Sequence, residues 1–146
     1  MAFNILPQVD DLLDSGHTVQ EMRLLKETRK VLDQPDLPLS STVIRVPVFF
    51  GVSEAVYLET ETKLPLSKIR SQLENAKGIE VLDEAGDYPT PVVDAVNSDP
   101  VYVGRIREDL TQANGVHLWL VTDNVRKGAA LNSVQIAELL VQDRLK

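Results

Sequence analysis

The sequence predicts an α+β domain with a mostly antiparallel or mixed sheet and helices packed on one face. Runs of β-branched and aromatic residues recur between Ser41 and Val121, while apolar residues at helical spacing mark segments at both ends and near the middle. Turn formers separate these stretches, and 146 residues correspond to one domain by length.

Residues 1–17, with Pro7 and Gly16, read as irregular. Thr18-Val19-Gln20-Glu21 is a capping box, and Met22, Leu25 and Leu32 continue it as a helix over 19–33. Pro35 and Pro38 end that helix. Ser41–Phe50 and Ala55–Thr60 read as strands, with Gly51 as the bend between them. Leu66, Ile69, Leu73 and Ala76 place a second helix over 64–77, capped by Gly78. Ile79–Leu82 is a short strand, and 83–100 is a long ordered loop containing three prolines. Val101–Arg107 alternates apolar and polar residues as a half-buried strand does. Val116–Val121 follows an Asn114-Gly115 turn, and a helix runs from Asn124 or Lys127 to Leu145.

Composition narrows the function. A net charge of −7 argues against a nucleic-acid partner and an anionic membrane surface. No cysteine is present, so this chain supplies no disulfide, Cys-ligated metal or thiol nucleophile. No run approaches the roughly 18 apolar residues of a membrane span, and the N-terminus lacks signal-peptide character. A cytoplasmic protein is the expectation. His17 and His117 stand 100 positions apart, which gives a metal site no support. His117 reads as a packed or hydrogen-bonded side chain.

Three places could carry chemistry. Arg45 lies in the apolar run Ile44–Phe50, where a buried guanidinium must meet an anion, either a structural carboxylate or a ligand. Arg105 and Arg107 fall on one strand face, as a solvated, salt-bridged surface or a binding one. In Thr122–Ala130 a strand ends and a helix begins, which suits an ordinary N-cap or an amide or phosphate ligand.

Arg45-Val46-Pro47-Val48, Ser53–Thr60, Val103–Leu110 and Asp123–Glu138 together resemble the C-terminal half of bacterial aspartate-β-semialdehyde dehydrogenase. Phe3-Asn4, Pro7-Gln8 and Glu27–Lys30 fit as well, so the resemblance runs nearly end to end over 1–146. It implies a catalytic and dimerisation domain of the glyceraldehyde-3-phosphate dehydrogenase type. It also implies an upstream Rossmann domain and nucleophile segment that this chain does not contain. The family reduces aspartyl phosphate with NADPH, on the branch to lysine, methionine and threonine. It works through a cysteine thioacyl enzyme, a histidine acid/base and a carboxylate-clamping arginine.

By that resemblance Arg45 is the substrate-carboxylate arginine, and Asn124 with Gly128 lines the nicotinamide end of NADP. The departures are informative. The acid/base histidine, seven residues beyond the arginine, is replaced by Val52. The family's Glu and Lys around the substrate's amino and phosphate groups become Gln20 and Arg23. The resemblance therefore implies a homodimerising, catalytically degenerate relative that binds no NADP tightly as this chain alone. The alternative is a fragment of an active enzyme.

Overall fold

In a computed structural model, which describes residues 3–144, the chain divides between Pro47 and Val48 into two units. The first is organised around α1 (Val19–Val31). The expected capping box is formed: the Glu21 N–H donates to Thr18 Oγ1 at 3.2 Å, and the Thr18 N–H donates to Glu21 Oε2 at 2.8 Å. Gly16, at φ +82°, turns the preceding chain so that Leu12 bridges Thr18. Beyond the helix, Arg29 Nε donates to the Leu37 carbonyl at 2.9 Å. Leu6 and Arg45 then exchange backbone hydrogen bonds of 3.0 and 2.8 Å. Among the described residues, only the polar Thr18 and Glu21 are buried in this unit, whereas Val31 and Leu32 are exposed.

The strand expected over Ser41–Phe50 does not form. Arg45 makes a single backbone bridge, and residues 46–50 run without pairing. Pro47 has no N–H to offer a ladder, and strand-forming side chains need a neighbouring strand to express their preference.

The second unit contains β1 (Val52–Glu59), α2 (Leu66–Glu74), β2 (Ile79–Val81), β3 (Val101–Glu108), β4 (Gly115–Thr122) and α3 (Leu131–Arg144). The sheet runs β1-β4-β3-β2, with β4 antiparallel to both its neighbours and β2 parallel to β3. A parallel pair needs a long crossover, which residues 82–100 provide. That expected loop contains a π-helical turn at Pro91–Ala95, with Thr90 Oγ1 accepting from the Val93 N–H. α2 stops at Glu74 with Asn75 as its cap, so Gly78 (φ +77°) serves the turn into β2 and does not cap the helix.

Successive strand residues face opposite ways. Val103, Ile106, Val116 and Leu118 are buried on one face beneath Leu66, Ile69 and Leu73 of α2. On the other, Tyr102 and Val121 pack with Ala95, and Trp119 Nε1 donates to the Pro89 carbonyl at 2.9 Å. The sheet thus carries a helix on one face and the Pro89–Ala95 segment on part of the other. Gly104 permits that approach, because a Cβ there would overlap the Leu82 carbonyl and Pro89 Cδ.

The alternation expected in β3 is interrupted by a bulge, with Arg105 and Ile106 lying between the pairs Gly104–Trp119 and Arg107–His117. Arg105 takes φ +56°. The freed groups are met: the Ile106 N–H donates to Asp83 Oδ1 at 3.0 Å, and Arg70 Nη2 donates to the Ile106 carbonyl at 3.0 Å. The extra residue returns Ile106 to the core. A π-helical turn at Arg126–Ala130 precedes α3, none of whose described residues is buried. No helix of the described residues is long and apolar enough to cross a membrane.

Candidate functional site

The expected site residues are divided between the units: Gln20, Arg23 and Arg45 lie in the first, and Val52, Asn124 and Gly128 in the second. In the second, Val52 opens β1 directly opposite Thr122, the last residue of β4. Position 52 therefore meets the start of the Thr122–Asp123–Asn124 segment at one end of the sheet. Gly51 makes this approach possible at φ +81°. A Cβ on it would stand 3.1 Å from both the Thr122 carbonyl and Pro91 Cβ.

Asp123 organises the helix start. Its carboxylate is buried and accepts the Asn97 N–H at 3.0 Å, the Val125 N–H at 2.9 Å and the Arg126 N–H at 3.3 Å. These donors, the Asn97 N–H foremost, hold its carboxyl below the usual range against the opposing effect of burial. Arg126 Nε also donates to Asp99 Oδ1 at 2.6 Å. The first N–H groups of the helical region are thus already taken up by Asp123, which favours the capping reading of this segment over a free anion site. Asn124 and Gly128 are exposed beside one another, with Asn124 Cβ 3.9 Å from where a Cβ on Gly128 would stand.

In the first unit Gln20 is half-buried and Arg23 exposed, three residues apart on one side of α1. Arg45 is exposed, not the buried cation its apolar surroundings suggested, because the strand that would have enclosed it is absent. Among the described residues its guanidinium makes no ion pair or hydrogen bond. The ion-pair alternative for Arg45 therefore finds no partner here.

Glu21 was legible as a cap, but its second role was not. Oε1 accepts the Val43 N–H at 3.0 Å, so the carboxylate ties the helix start to the segment leading into Arg45. The Thr18 and Val43 N–H groups lower its pKa, in that order. The available signal is that a capping carboxylate has a spare oxygen when only one is used by the box.

The remaining candidates are accounted for locally. His117 is hydrogen-bonded as expected, its Nε2 2.6 Å from Asp109 Oδ2, with the Tyr57 ring centred 5.2 Å away. The Thr111 hydroxyl and His117 hold the Asp109 carboxyl far below its ordinary range. The bulge breaks the simple two-residue repeat that put Arg105 and Arg107 on one face. Both are nonetheless exposed, and Arg107 Nη1 donates to the Arg105 carbonyl at 2.9 Å. Neither makes an ion pair among the described residues. No group of three His, Cys, Asp or Glu side chains among the described residues could hold a metal ion.

The second unit is thus a mixed sheet that presents position 52 beside a capped helix start, and the first is a small α-helical unit carrying an exposed arginine. The family model described as "Semialdehyde dehydrogenase, dimerisation domain" matches residues 1–127, and the chain belongs to that family. It is 47% identical over 143 residues to aspartate-semialdehyde dehydrogenase of Shewanella sp. (strain DB6705), covering 98% of this chain and 42% of that protein. It is also 46% identical over 142 residues to a USG-1 protein homolog of Azotobacter vinelandii, covering 97% of this chain and 42% of that protein. The crystal structure of aspartate semialdehyde dehydrogenase II complexed with ASA, from Vibrio cholerae, matches with a TM-score of 0.94 and 46% identity. That match covers 99% of this chain and 43% of the other. The chain thus spans well under half the length of the curated relatives it matches.

Proposed function

We propose that this chain is the dimerisation and substrate-pocket part of an aspartate-semialdehyde dehydrogenase-like protein that no longer performs the family's chemistry. The observation that carries this reading is valine at position 52, opposite Thr122 and next to the Asp123-Asn124 helix start. Valine has no proton to exchange, and loss of a positioned acid/base costs about 10²–10⁴-fold in rate. Gln20 lacks the charge that attracts a substrate ammonium, and Arg23 offers a fork in place of a point charge. Arg45 is exposed and unpaired among the described residues, which suits a clamp for an external carboxylate. Asn124 and Gly128 would line the nicotinamide end of NADP, with the remaining cofactor contacts supplied by a Rossmann domain. The cytoplasm is the compartment consistent with this role.

Homodimerisation completes the reading. Ser53, Ala55 and Tyr57 lie exposed on the sheet face that the Pro89–Ala95 segment covers only in part. An isologous contact through that face fits the commonest symmetry of soluble oligomers.

The test is an assay of the whole protein that carries this chain with aspartate semialdehyde, phosphate and NADP, alongside sedimentation velocity. We expect no NADPH formation above background and a species of twice the protomer mass. Robust turnover would replace this reading with a second, a fragment of an active NADP-dependent enzyme, which the names of several relatives favour. A clean monomer at high concentration would remove the dimer. This chain alone forms no thioacyl intermediate, since it has no thiol.

A further inference from the structure

We propose that the Thr122 hydroxyl is placed to position a polar side chain at position 52, a role that valine leaves unused. The inference rests on reading Val52 as the altered acid/base position. Thr122 Oγ1 is the buried side-chain polar atom that has no hydrogen-bond partner among the described residues. Buried hydroxyls almost always find a partner, so an orphan asks for an explanation.

The explanation lies across the strand pair. Val52 is the direct antiparallel partner of Thr122. Directly opposed side chains share a sheet face, with Cβ atoms about 4.5–5.5 Å apart. A longer side chain with a polar head at position 52 spans that gap, whereas valine presents only methyl groups to it. The glycine at position 51 keeps the strand start close to the Thr122 carbonyl. Glu54, the next side chain on the same face of β1, is instead opposite Leu120. A hydroxyl both donates and accepts, so it can orient an imidazole in either tautomer and also its protonated form. The hydroxyl would act on chemistry only through the side chain at position 52.

The test is a double-mutant cycle on the whole protein that carries this chain, pairing Val52→His with Thr122, Thr122→Ser and Thr122→Val. We expect Val52→His to raise the folding equilibrium constant about fivefold more with Thr122 or Thr122→Ser than with Thr122→Val, the worth of one net hydrogen bond. In ¹⁵N spectra the introduced imidazole should settle in one tautomer when the hydroxyl is present and in a mixture when it is not. Equal responses in all three backgrounds would overturn the proposal. Thr122→Val alone, which removes an unmet hydroxyl at nearly constant shape, should raise the folding constant about fivefold. A loss of stability instead would mean that the hydroxyl is already satisfied, and would also overturn it. Turnover by the valine-bearing whole protein would defeat the function proposed above without changing the result of this cycle.

Discussion

The two units of this chain hold themselves together by different means. Residues 48–144 have an apolar interior: Val103, Ile106, Val116 and Leu118 under α2, with Tyr102, Val121 and Ala95 on the opposite face. Residues 3–47 bury Thr18 and Glu21 and leave Val31 and Leu32 exposed. One region draws on close packing, which tolerates polar change at its surface and resists volume change inside. The other depends on a few directional bonds converging on one carboxylate. The substrate-side candidates Gln20, Arg23 and Arg45 belong to the bond-pinned region, and the position-52 and cofactor-side candidates to the packed one.

The largest effect that would sharpen this contrast is Gly104→Ala. The added methyl would overlap the Leu82 carbonyl and Pro89 Cδ, neither the free end of a flexible side chain. Overpacking of this kind should cost about 3 kcal/mol, read as a lowered midpoint in chemical denaturation. A neutral result would show that the packed region is looser than its contacts indicate.

Glu21→Gln comes next and acts on the other region. Amide exchange at Thr18 and Val43 should accelerate, while amides of β3 and β4 keep their protection. Uniform acceleration across both regions would break the contrast. Acid should act in the same direction. Because the Glu21 pKa is lowered on folding, its contribution is fully present above the ordinary value of 4.5. That contribution is lost as pH falls through the lowered folded value, since the unfolded chain takes up the proton first. For Asp109 and Asp123 the loss begins lower, from an ordinary value of 3.8. Exchange followed on lowering the pH should therefore loosen the Thr18 amide before the Asn97 amide.

The smallest expected effect is that of Arg45→Ala. An exposed guanidinium without a partner among the described residues contributes little, so stability should change by less than about 0.5 kcal/mol. A larger loss would restore the structural ion pair as the explanation of this residue.

What could be read without coordinates was mainly local. The capping box at Thr18–Glu21, the strand after Gly51, the Asn114-Gly115 turn and the final helix depend on residues within a turn or two of each other. The family resemblance, carried by contiguous motifs, added proposed roles for Arg45, Val52, Asn124 and Gly128. The misreadings concern partners distant in the chain. Ser41–Phe50 has strand-forming side chains, but among the described residues it finds only the single bridge from Arg45 to Leu6.

The amino-acid order by itself determined the fold class, most elements, the missing thiol and the valine at position 52, because each follows from short-range geometry or composition. Only the tertiary structure decided that β2 runs parallel to β3, that a bulge returns Ile106 to the core, and that Glu21 reaches Val43. It alone also placed Val52 opposite an unmet Thr122 hydroxyl. Those outcomes depend on which distant segments meet: in the second unit that is set by closing the sheet around its core, and in the first by the spare oxygen of one carboxylate.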